Sequence, residues 1–163
     1  MTKSGKVLII YPPNQLNPTE APRPEGSLGP LYLAAALEEA GMETDVVDAS
    51  VGTADDELKD TFNNPVMQSN GLIRIGMSPD RIRGLITSGG YDVVAIHSNF
   101  TPQTRMVLET AKIVKETDPE ILVISGGVNA RHIPERLLGT GLIDMICTTE
   151  GERIIVKAVK QWR

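Results

Sequence analysis

The chain has 163 residues, of which 40% are hydrophobic and 23% charged, and its formal net charge is -5. This length predicts one domain with a single core, and the acidic balance argues against nucleic acid or an acidic membrane as a partner. A single cysteine, Cys147, excludes an internal disulfide, a cysteine-rich zinc site and an iron–sulfur cluster held by this chain alone. Since no segment resembles a signal peptide or a membrane span, we expect a cytoplasmic protein.

Five short runs rich in Val and Ile, without clean polar alternation, predict strands that are buried on both faces. They are residues 7–11, 45–47, 93–96, 121–125 and 143–146. Helical patterns lie between or after them at 27–40, 102–117 and 150–162. This alternation predicts an α/β fold: a Rossmann-like, flavodoxin-like, doubly wound sheet of five parallel strands in the order 2-1-3-4-5, with helices on both faces.

The crossover between the second and third strands, residues 50–90, is longer than one helix needs. It contains the turn signals Asn63-Asn64-Pro65 and Asn70-Gly71. We therefore predict two helical pieces, one over 55–62 and one over 79–87 that Ser78 caps. The last predicted helix stops one residue before the chain does, without a cap or polar tail, so we expect a single domain, 1–163, that is a fragment of a longer protein.

Three strand ends carry residues suited to ligand binding at the carboxyl edge of the sheet. The loop over 12–26 is far longer than the roughly 2 to 6 residues usual after a strand, and its prolines predict an extended shelf. Ser98 and Asn99 follow the third strand, where they face a ligand or form a turn. Gly126 and Gly127 follow the fourth and suit either a tight turn or a flat ligand close to the backbone; their alignment with the other loops favours the ligand.

Helix caps explain part of this edge without any ligand. Thr101 is the predicted N-cap of the helix that Pro102 opens. Thr149 and Glu152 predict a capping box at the start of the last helix. A ligand role for Glu150 or Gly151 stays open, because that helix start points at the same edge.

The sequence lacks the residues that several other kinds of binding or catalytic site require. No Gly-x-Gly-x-x-Gly follows the first strand and no Walker loop is present. A phospho-acceptor receiver domain needs acidic residues where this chain has Pro12 and His97. His97, His132 and Cys147 show no metal-ligand spacing, so we expect no metal site, and the absence of an acid–base pair at the edge leaves no catalytic residue to assign.

Several segments, in their order and spacing, resemble the N-terminal cobalamin-binding domain of cobalamin-dependent radical S-adenosylmethionine enzymes. They are VLIIYPPN at 7–14, LGPLYLAAALEEAG at 28–41, residues 45–48, YDVVAIHS at 91–98, ISGGVN at 124–129 and EGE at 150–152. The resemblance extends over residues 6–162. It implies a sheet that holds the corrin ring over its strand ends, with the dimethylbenzimidazole tail in the crevice.

The resemblance also implies a cofactor site. Gly126 and Gly127 match the glycines beside the tail, Ser98 matches the polar residue after the third strand, and the loop at 12–14 matches the shelf under the ring. The full expected cofactor-binding set is Pro12, Pro13, Asn14, Gln15, Ser98, Asn99, Phe100, Thr101, Gly126, Gly127, Val128, Asn129, Glu150 and Gly151.

Two departures limit what the chain does alone. Cobalamin mutases and methionine synthase carry Asp-x-His-x-x-Gly after the first strand, and its His ligates cobalt; residues 14–26 contain no His. The resemblance therefore implies base-off cobalamin without a replacing histidine. The Cys-x-x-x-Cys-x-x-Cys motif is absent, so the iron–sulfur cluster and S-adenosylmethionine would belong to a further domain, to which this one presents cobalamin for methyl transfer or related chemistry.

Two other functions stay open from the sequence. The first is a domain of the same fold that carries no cofactor and serves as a scaffold or docking unit. The second is a small-molecule enzyme on a flavodoxin-like sheet, for which no acid–base pair is visible.

Overall fold

A computed structural model describes residues 5–23 and 27–162. The strands are β1 (Val7–Tyr11), β2 (Asn14–Leu16), β3 (Thr44–Asp48), β4 (Val66–Met67), β5 (Ile73–Ile75), β6 (Val93–His97), β7 (Leu122–Gly126) and β8 (Met145–Cys147). The α-helices are α1 (Gly29–Glu39), α2 (Pro79–Gly89), α3 (Thr104–Thr117), α4 (Val128–His132), α5 (Pro134–Leu138) and α6 (Gly151–Trp162).

The central sheet has five parallel strands in the order β3-β1-β6-β7-β8, which confirms the predicted order 2-1-3-4-5. Its edge strand β8 begins at Met145, two residues later than predicted. The reason is Asp144, whose backbone N–H donates to Val123 O at 2.9 Å while its carboxylate accepts from Val123 N at 2.7 Å. A side chain replaces a ladder bond there, so regular pairing starts one residue further along.

Helices cover both faces of this sheet, as predicted. Alternate residues of β1 point to opposite sides. Val7 and Ile9 pack in a cluster with Leu37 of α1 and Val159 of α6, whereas Leu8 belongs to the cluster formed with α2, α3, α4 and α5. Among the described residues, no helix is long and apolar enough to cross a membrane.

The second crossover differs from the prediction. Residues 55–62 form turns and no helix, so the helix predicted there is wrong. Asp56 accepts hydrogen bonds from the backbone and hydroxyl of Thr53, each at 2.8 Å, and from Arg81 at 2.6 Å. Such side-chain bonds offer the backbone an alternative to helix. The helix predicted at 79–87 is confirmed as α2, and Ser78 Oγ accepts from Arg81 N at 3.1 Å.

A small antiparallel sheet, in the order β2-β5-β4, was not predicted. Its first strand lies inside the loop that was expected to form an extended shelf over 12–26. That loop therefore folds back on the second crossover at Asn14–Leu16. Part of the predicted loop, residues 24–26, lies outside the described residues.

Two predicted caps are out of place. A 3₁₀ turn, Thr101–Gln103, precedes α3, and Gln103 rather than Thr101 is the residue before that helix; Thr101 O instead accepts from Thr104 Oγ1 at 2.8 Å. Helix α6 begins at Gly151, so Glu150 is the residue before it and the predicted capping box is out of register. The periodicity of the sequence predicts where a helix lies, but it predicts the ends of the helix only to within one or two residues.

Candidate functional site

A cavity of about 250 Å³ opens at the carboxyl ends of the central strands, on the face covered by α1 and α6. Two rows of sheet residues line its floor. The inner row is Ile9, Ala95 and Ile124, which are paired in register across β1, β6 and β7. The outer row, two residues nearer the strand ends, contains His97, Gly126 and Cys147.

The floor is hollow because its central positions carry little or no side chain. Ala95 stands between Ile9 and Ile124 in the inner row, and Gly126 stands between His97 and Cys147 in the outer row. Small residues on the middle strands of a sheet otherwise covered by Val and Ile leave a depression that no neighbouring side chain fills.

The walls and the mouth of the cavity differ in chemistry. Leu33 of α1 and Ile155 and Ala158 of α6 form apolar walls over the inner row. The polar lining residues lie at strand ends or helix starts, at the mouth: Ser27, His97, Asn99, Thr149 and Glu152. The arrangement suits a ligand with an apolar part to insert and a polar part to leave outside.

Glycine occupies the two positions of the predicted pair for different physical reasons. Gly127 has φ +107°, and a Cβ there would lie 2.6 Å from both Asn99 Oδ1 and Ser98 O. The backbone and its neighbours therefore require glycine at 127. A Cβ at Gly126 would meet Cys147 Cβ at 3.3 Å, which a shift of a few tenths of an ångström relieves. The missing side chain at 126 is thus not imposed by the protein's own packing, and it keeps the cavity open.

The loop after β6 is held by a buried hydrogen-bond network. Ser98 is 1% exposed; its hydroxyl accepts from Asn129 Nδ2 at 3.0 Å and its carbonyl from Asn129 N at 3.0 Å. Asn129 Nδ2 also donates to Thr104 Oγ1 at 3.0 Å. Ser98 and Asn129 do not line the cavity, so the structure places them in support of its edge.

Asn99 is the polar residue of this loop that reaches the site. Its Oδ1 accepts from Val128 N at 3.2 Å, which fixes the orientation of the amide and directs Oδ1 at the start of α4. Asn99 lines both the large cavity and a cleft of about 20 Å³ that also touches Pro12 and Asn14. The smaller cleft has room for about one water molecule.

The shelf residues lie deeper than expected. Pro12, Pro13, Asn14 and Gln15 are all buried. Gln15 uses its side chain within the protein: Nε2 donates to Pro102 O at 3.2 Å and Oε1 accepts from Asn70 at 3.1 Å. Its backbone exchanges two bonds with the side chain of Gln103, at 2.8 and 3.0 Å. These contacts tie the segment to the turn before α3 and to the second crossover.

The remaining predicted residues lie around the mouth. Phe100 and Val128 are each 51% exposed at the strand-end surface. Thr101 and Glu150 are exposed and do not line the cavity. Gly151 lines it, and a Cβ there would lie 2.7 Å from Leu33 Cδ2, so glycine at this position also lets α6 pack closely on α1.

Sequence comparison assigns the family. Residues 19–159 match the B12 binding domain family. The chain belongs to that family. It is 32% identical over 149 residues to the cytidylyl-2-hydroxyethylphosphonate methyltransferase of Streptomyces wedmorensis, covering 90% of this chain and 26% of the relative. It is 33% identical over 91 residues to the anaerobic magnesium-protoporphyrin IX monomethyl ester cyclase of Rubrivivax gelatinosus, covering 53% of this chain and 16% of that protein. This B12-binding domain thus spans about a quarter or less of either relative.

Solved structures show the same fold. A cobalamin-binding protein from Desulfitobacterium hafniense DCB-2 superposes with a TM-score of 0.61 at 15% identity, covering 99% of this chain and 60% of that one. A response regulator from Burkholderia multivorans gives a TM-score of 0.52 at 12% identity, covering 96% and 92%. At such identities the likeness concerns the fold alone.

The cavity of this B12-binding domain fits the tail of cobalamin in size and chemistry. An engineered apolar cavity of about 150 Å³ holds benzene, so about 250 Å³ accommodates a fused two-ring base. The inner row and the helix walls offer the apolar surroundings such a base prefers. Gly126, where the protein's own packing does not require glycine, lies in the outer row at the strand ends.

His97 is a site residue that is absent from the expected cofactor-binding set. It lines both the cavity and the smaller cleft. Its ring lies 4.7 Å from that of Tyr11, whose hydroxyl donates to Ser27 O, and its Nε2 is buried without a hydrogen-bond partner among the described residues. Burial lowers the pKa of His97, which favours the neutral imidazole. The signal available in the sequence was that His97 lies two residues after Ala95 on the same strand, so that the two side chains share one face of the sheet.

Residues 5–23 and 27–162 contain no group of three or more His, Cys, Asp or Glu that could hold a metal ion. Ala95 and the helix walls were also missed by the sequence interpretation, because apolar residues in a strand or helix carry no mark that separates a ligand wall from ordinary core.

Proposed function

We propose that this domain binds cobalamin in the base-off form, with the lower base inserted between the sheet and helices α1 and α6. The observation that carries the proposal is the apolar cavity at the carboxyl edge of a B12-binding domain, kept open by Ala95 and Gly126. Bound cobalamin supplies a cobalt centre able to carry a methyl group. The protein's part is to hold and orient the cofactor.

Each group of lining residues has a distinct task in this proposal. The inner row and the walls from Leu33 and Ile155 exclude water from the inserted base. Asn99, oriented by the backbone of Val128, meets the polar groups that remain at the mouth. The buried network of Ser98 and Asn129 keeps that mouth in shape before the ligand arrives, which limits the ordering cost of binding.

No histidine of this chain is expected to replace the detached base on cobalt. Residues 12–26 contain none. His97 packs against Tyr11 with its Nε2 buried, and His132 lies exposed on α4 with Nδ1 2.7 Å from Val128 O. A base that leaves cobalt without a protein imidazole in its place gives a distinctive absorption spectrum, which makes the proposal directly measurable.

We further propose that the domain is part of a longer protein and presents cobalamin to a radical S-adenosylmethionine domain for methyl transfer or related chemistry. The support is that the chain covers 26% of a methyltransferase to which it is 32% identical. With one cysteine it cannot hold the iron–sulfur cluster of such chemistry, so the cluster and S-adenosylmethionine belong to the partner domain.

The test loads the domain with hydroxocobalamin, removes excess cofactor by gel filtration and records the absorbance spectrum. We expect a coloured protein with the base-off spectrum. Gly126→Leu should block the cavity and lose the cofactor, whereas Gly84→Leu, on exposed α2 with open space around its Cβ, should keep it. A colourless wild-type protein at micromolar cofactor would overturn the proposal and favour a cofactor-free docking domain.

A further inference from the structure

We infer that the cavity selects among lower bases: it prefers a fused two-ring base whose inserted end is hydrocarbon over one that carries an amino group there. The inference rests on the proposed function, because it assumes that the base enters the cavity. It concerns which cobamide this chain takes, which neither the fold nor family membership specifies.

The inserted end of the base meets a surface without polar side chains. The inner row of Ile9, Ala95 and Ile124 has its backbone groups engaged in the parallel ladder on β1, β6 and β7. The facing walls are Leu33, Ile155 and Ala158, whose helices use their own backbone bonds. An amino group placed among these side chains has donors and no acceptor.

The polar lining groups lie at the other end. Asn99 and Thr149 follow strands, and Ser27 and Glu152 lie at the starts of α1 and α6, all on the mouth side of the outer row. His97 has a buried Nε2 without a described partner, yet it too belongs to the outer row. A two-ring base therefore enters with its polar edge towards the mouth and its hydrocarbon edge towards the inner row.

The size of the expected selection follows from the cost of burying unpaired donors. Leaving a buried polar group without a partner weakens binding by about 5- to 150-fold, which corresponds to about 1 to 3 kcal/mol. Methyl groups at the same end gain contact with the apolar walls instead. Dimethylbenzimidazole has such a hydrocarbon edge, and adenine has an exocyclic amino group.

The experiment titrates the domain with three probes: cobalamin, the cobamide whose lower base is adenine, and cobinamide, which has no lower base. We expect cobalamin to bind most tightly and the adenine cobamide about 5- to 150-fold more weakly. Binding of none of the three overturns the proposed function itself. Equal binding of cobalamin and the adenine cobamide, both tighter than cobinamide, leaves the base in the cavity and overturns the selection; equal binding of all three places the base outside and overturns both.

A variant separates the cavity from the cobalt chemistry, because each base also costs a different free energy to detach from cobalt. Ala95→Ser adds an acceptor to the inner row with little change in volume, and should raise the relative affinity for the adenine cobamide by about threefold or more. Ile124→Thr provides a second polar substitution in the same row. Ala35→Ser, on the exposed side of α1, is the matched control and should leave the ratio unchanged. If neither inner-row variant moves the ratio, the discrimination arises outside the cavity and the inference is wrong.

Discussion

Two adjacent glycines, one at the end of β7 and one in the loop after it, are glycine for different structural reasons. Gly127 has a positive φ and lies against Asn99 and Ser98, so the fold itself requires it. Gly126 lies in the strand, where a Cβ would require Cys147 to shift by only a few tenths of an ångström, so packing does not require glycine there and its missing side chain leaves the cavity open. The sequence alone does not distinguish the two roles. They are distinguished by the contacts of Gly127 with residues nearly thirty positions away.

Alanine substitution at the two positions should therefore have unequal effects on stability. Gly127→Ala should lower the free energy of unfolding by about 1 to 3 kcal/mol, because φ +107° with ψ 175° is a backbone conformation that essentially only glycine adopts, and the overlap on Asn99 adds to this loss. Gly126→Ala should change it by less than about 1 kcal/mol. Urea unfolding followed by circular dichroism measures both, and equal losses would contradict the assignment of separate roles.

At the scale of elements, the second crossover shows local polar bonds overriding helical periodicity. Residues 55–62 have the composition of a short helix, but Asp56 binds the Thr53 backbone and hydroxyl and pairs with Arg81 of α2. A segment of this length forms a marginal helix in isolation, so a few such bonds suffice to favour turns. The bonds hold the segment against the start of α2.

The Asp56 ion pair predicts a pH dependence of stability. Hydrogen bonding from Arg81, aided by Thr53, lowers the pKa of Asp56 to about 2. The unfolded chain binds a proton at higher pH than the folded one, so this stabilisation is complete above pH of about 5 and is lost as the pH falls towards 2, on the order of 2 kcal/mol in total. Asp56→Asn should flatten the dependence over that range in urea titrations, whereas Asp55→Asn, an exposed neighbour, should preserve it.

The strand β2 depends on one side chain from the turn before α3. Gln103 accepts from Gln15 N at 2.8 Å and donates to Gln15 O at 3.0 Å, so its amide completes the backbone bonding of a buried residue. Gln103→Ala should cost about 1 to 3 kcal/mol of unfolding free energy, because both groups lose their partner. Gln161→Ala, at an exposed position of α6, serves as the control, and an equal small effect of the two substitutions would refute this role.

At the scale of the whole molecule, the two faces of the sheet do different work. One face is packed by α2 to α5 into a continuous core, while the other leaves a cavity under α1 and α6. A ligand bound in this cavity would contact the sheet and both of these helices, which are far apart in the chain. Its binding should therefore stabilise the fold unevenly.

Cobalamin should slow amide hydrogen exchange most in α1 and α6. At a free concentration of 100 times the dissociation constant it adds about 2.7 kcal/mol to the free energy of unfolding, and the helices that touch it gain local protection as well. Exchange followed by mass spectrometry, with and without cobalamin, measures the pattern, with α2 as the internal reference. Protection spread evenly over α1, α2 and α6 would argue against binding in this cavity.

Much of the fold follows from local signals. Runs such as VLIIY on β1 predicted strands buried on both faces, and the apolar spacing of α6 predicted a helix. The alternation of such strands with helices along the chain predicted the doubly wound parallel sheet and its order. The small sheet β2-β5-β4 escaped prediction, since its strands of two or three residues are too short to show a period and form by pairing with distant partners.

The sequence by itself determined the sheet, pointed to its carboxyl edge as the candidate site and showed the resemblance to cobalamin-binding domains. Those depend on patterns within about ten residues or on glycines, prolines and polar groups at strand ends. The tertiary structure decided which of these residues line the cavity. Ser98, Gln15 and Asn129 do not line it and instead form hydrogen bonds within the protein. Ala95 and His97 do line it. The physical reason is that the cavity walls are formed by side chains that are distant in the sequence. Their register and burial are set only when the sheet and its helices pack together.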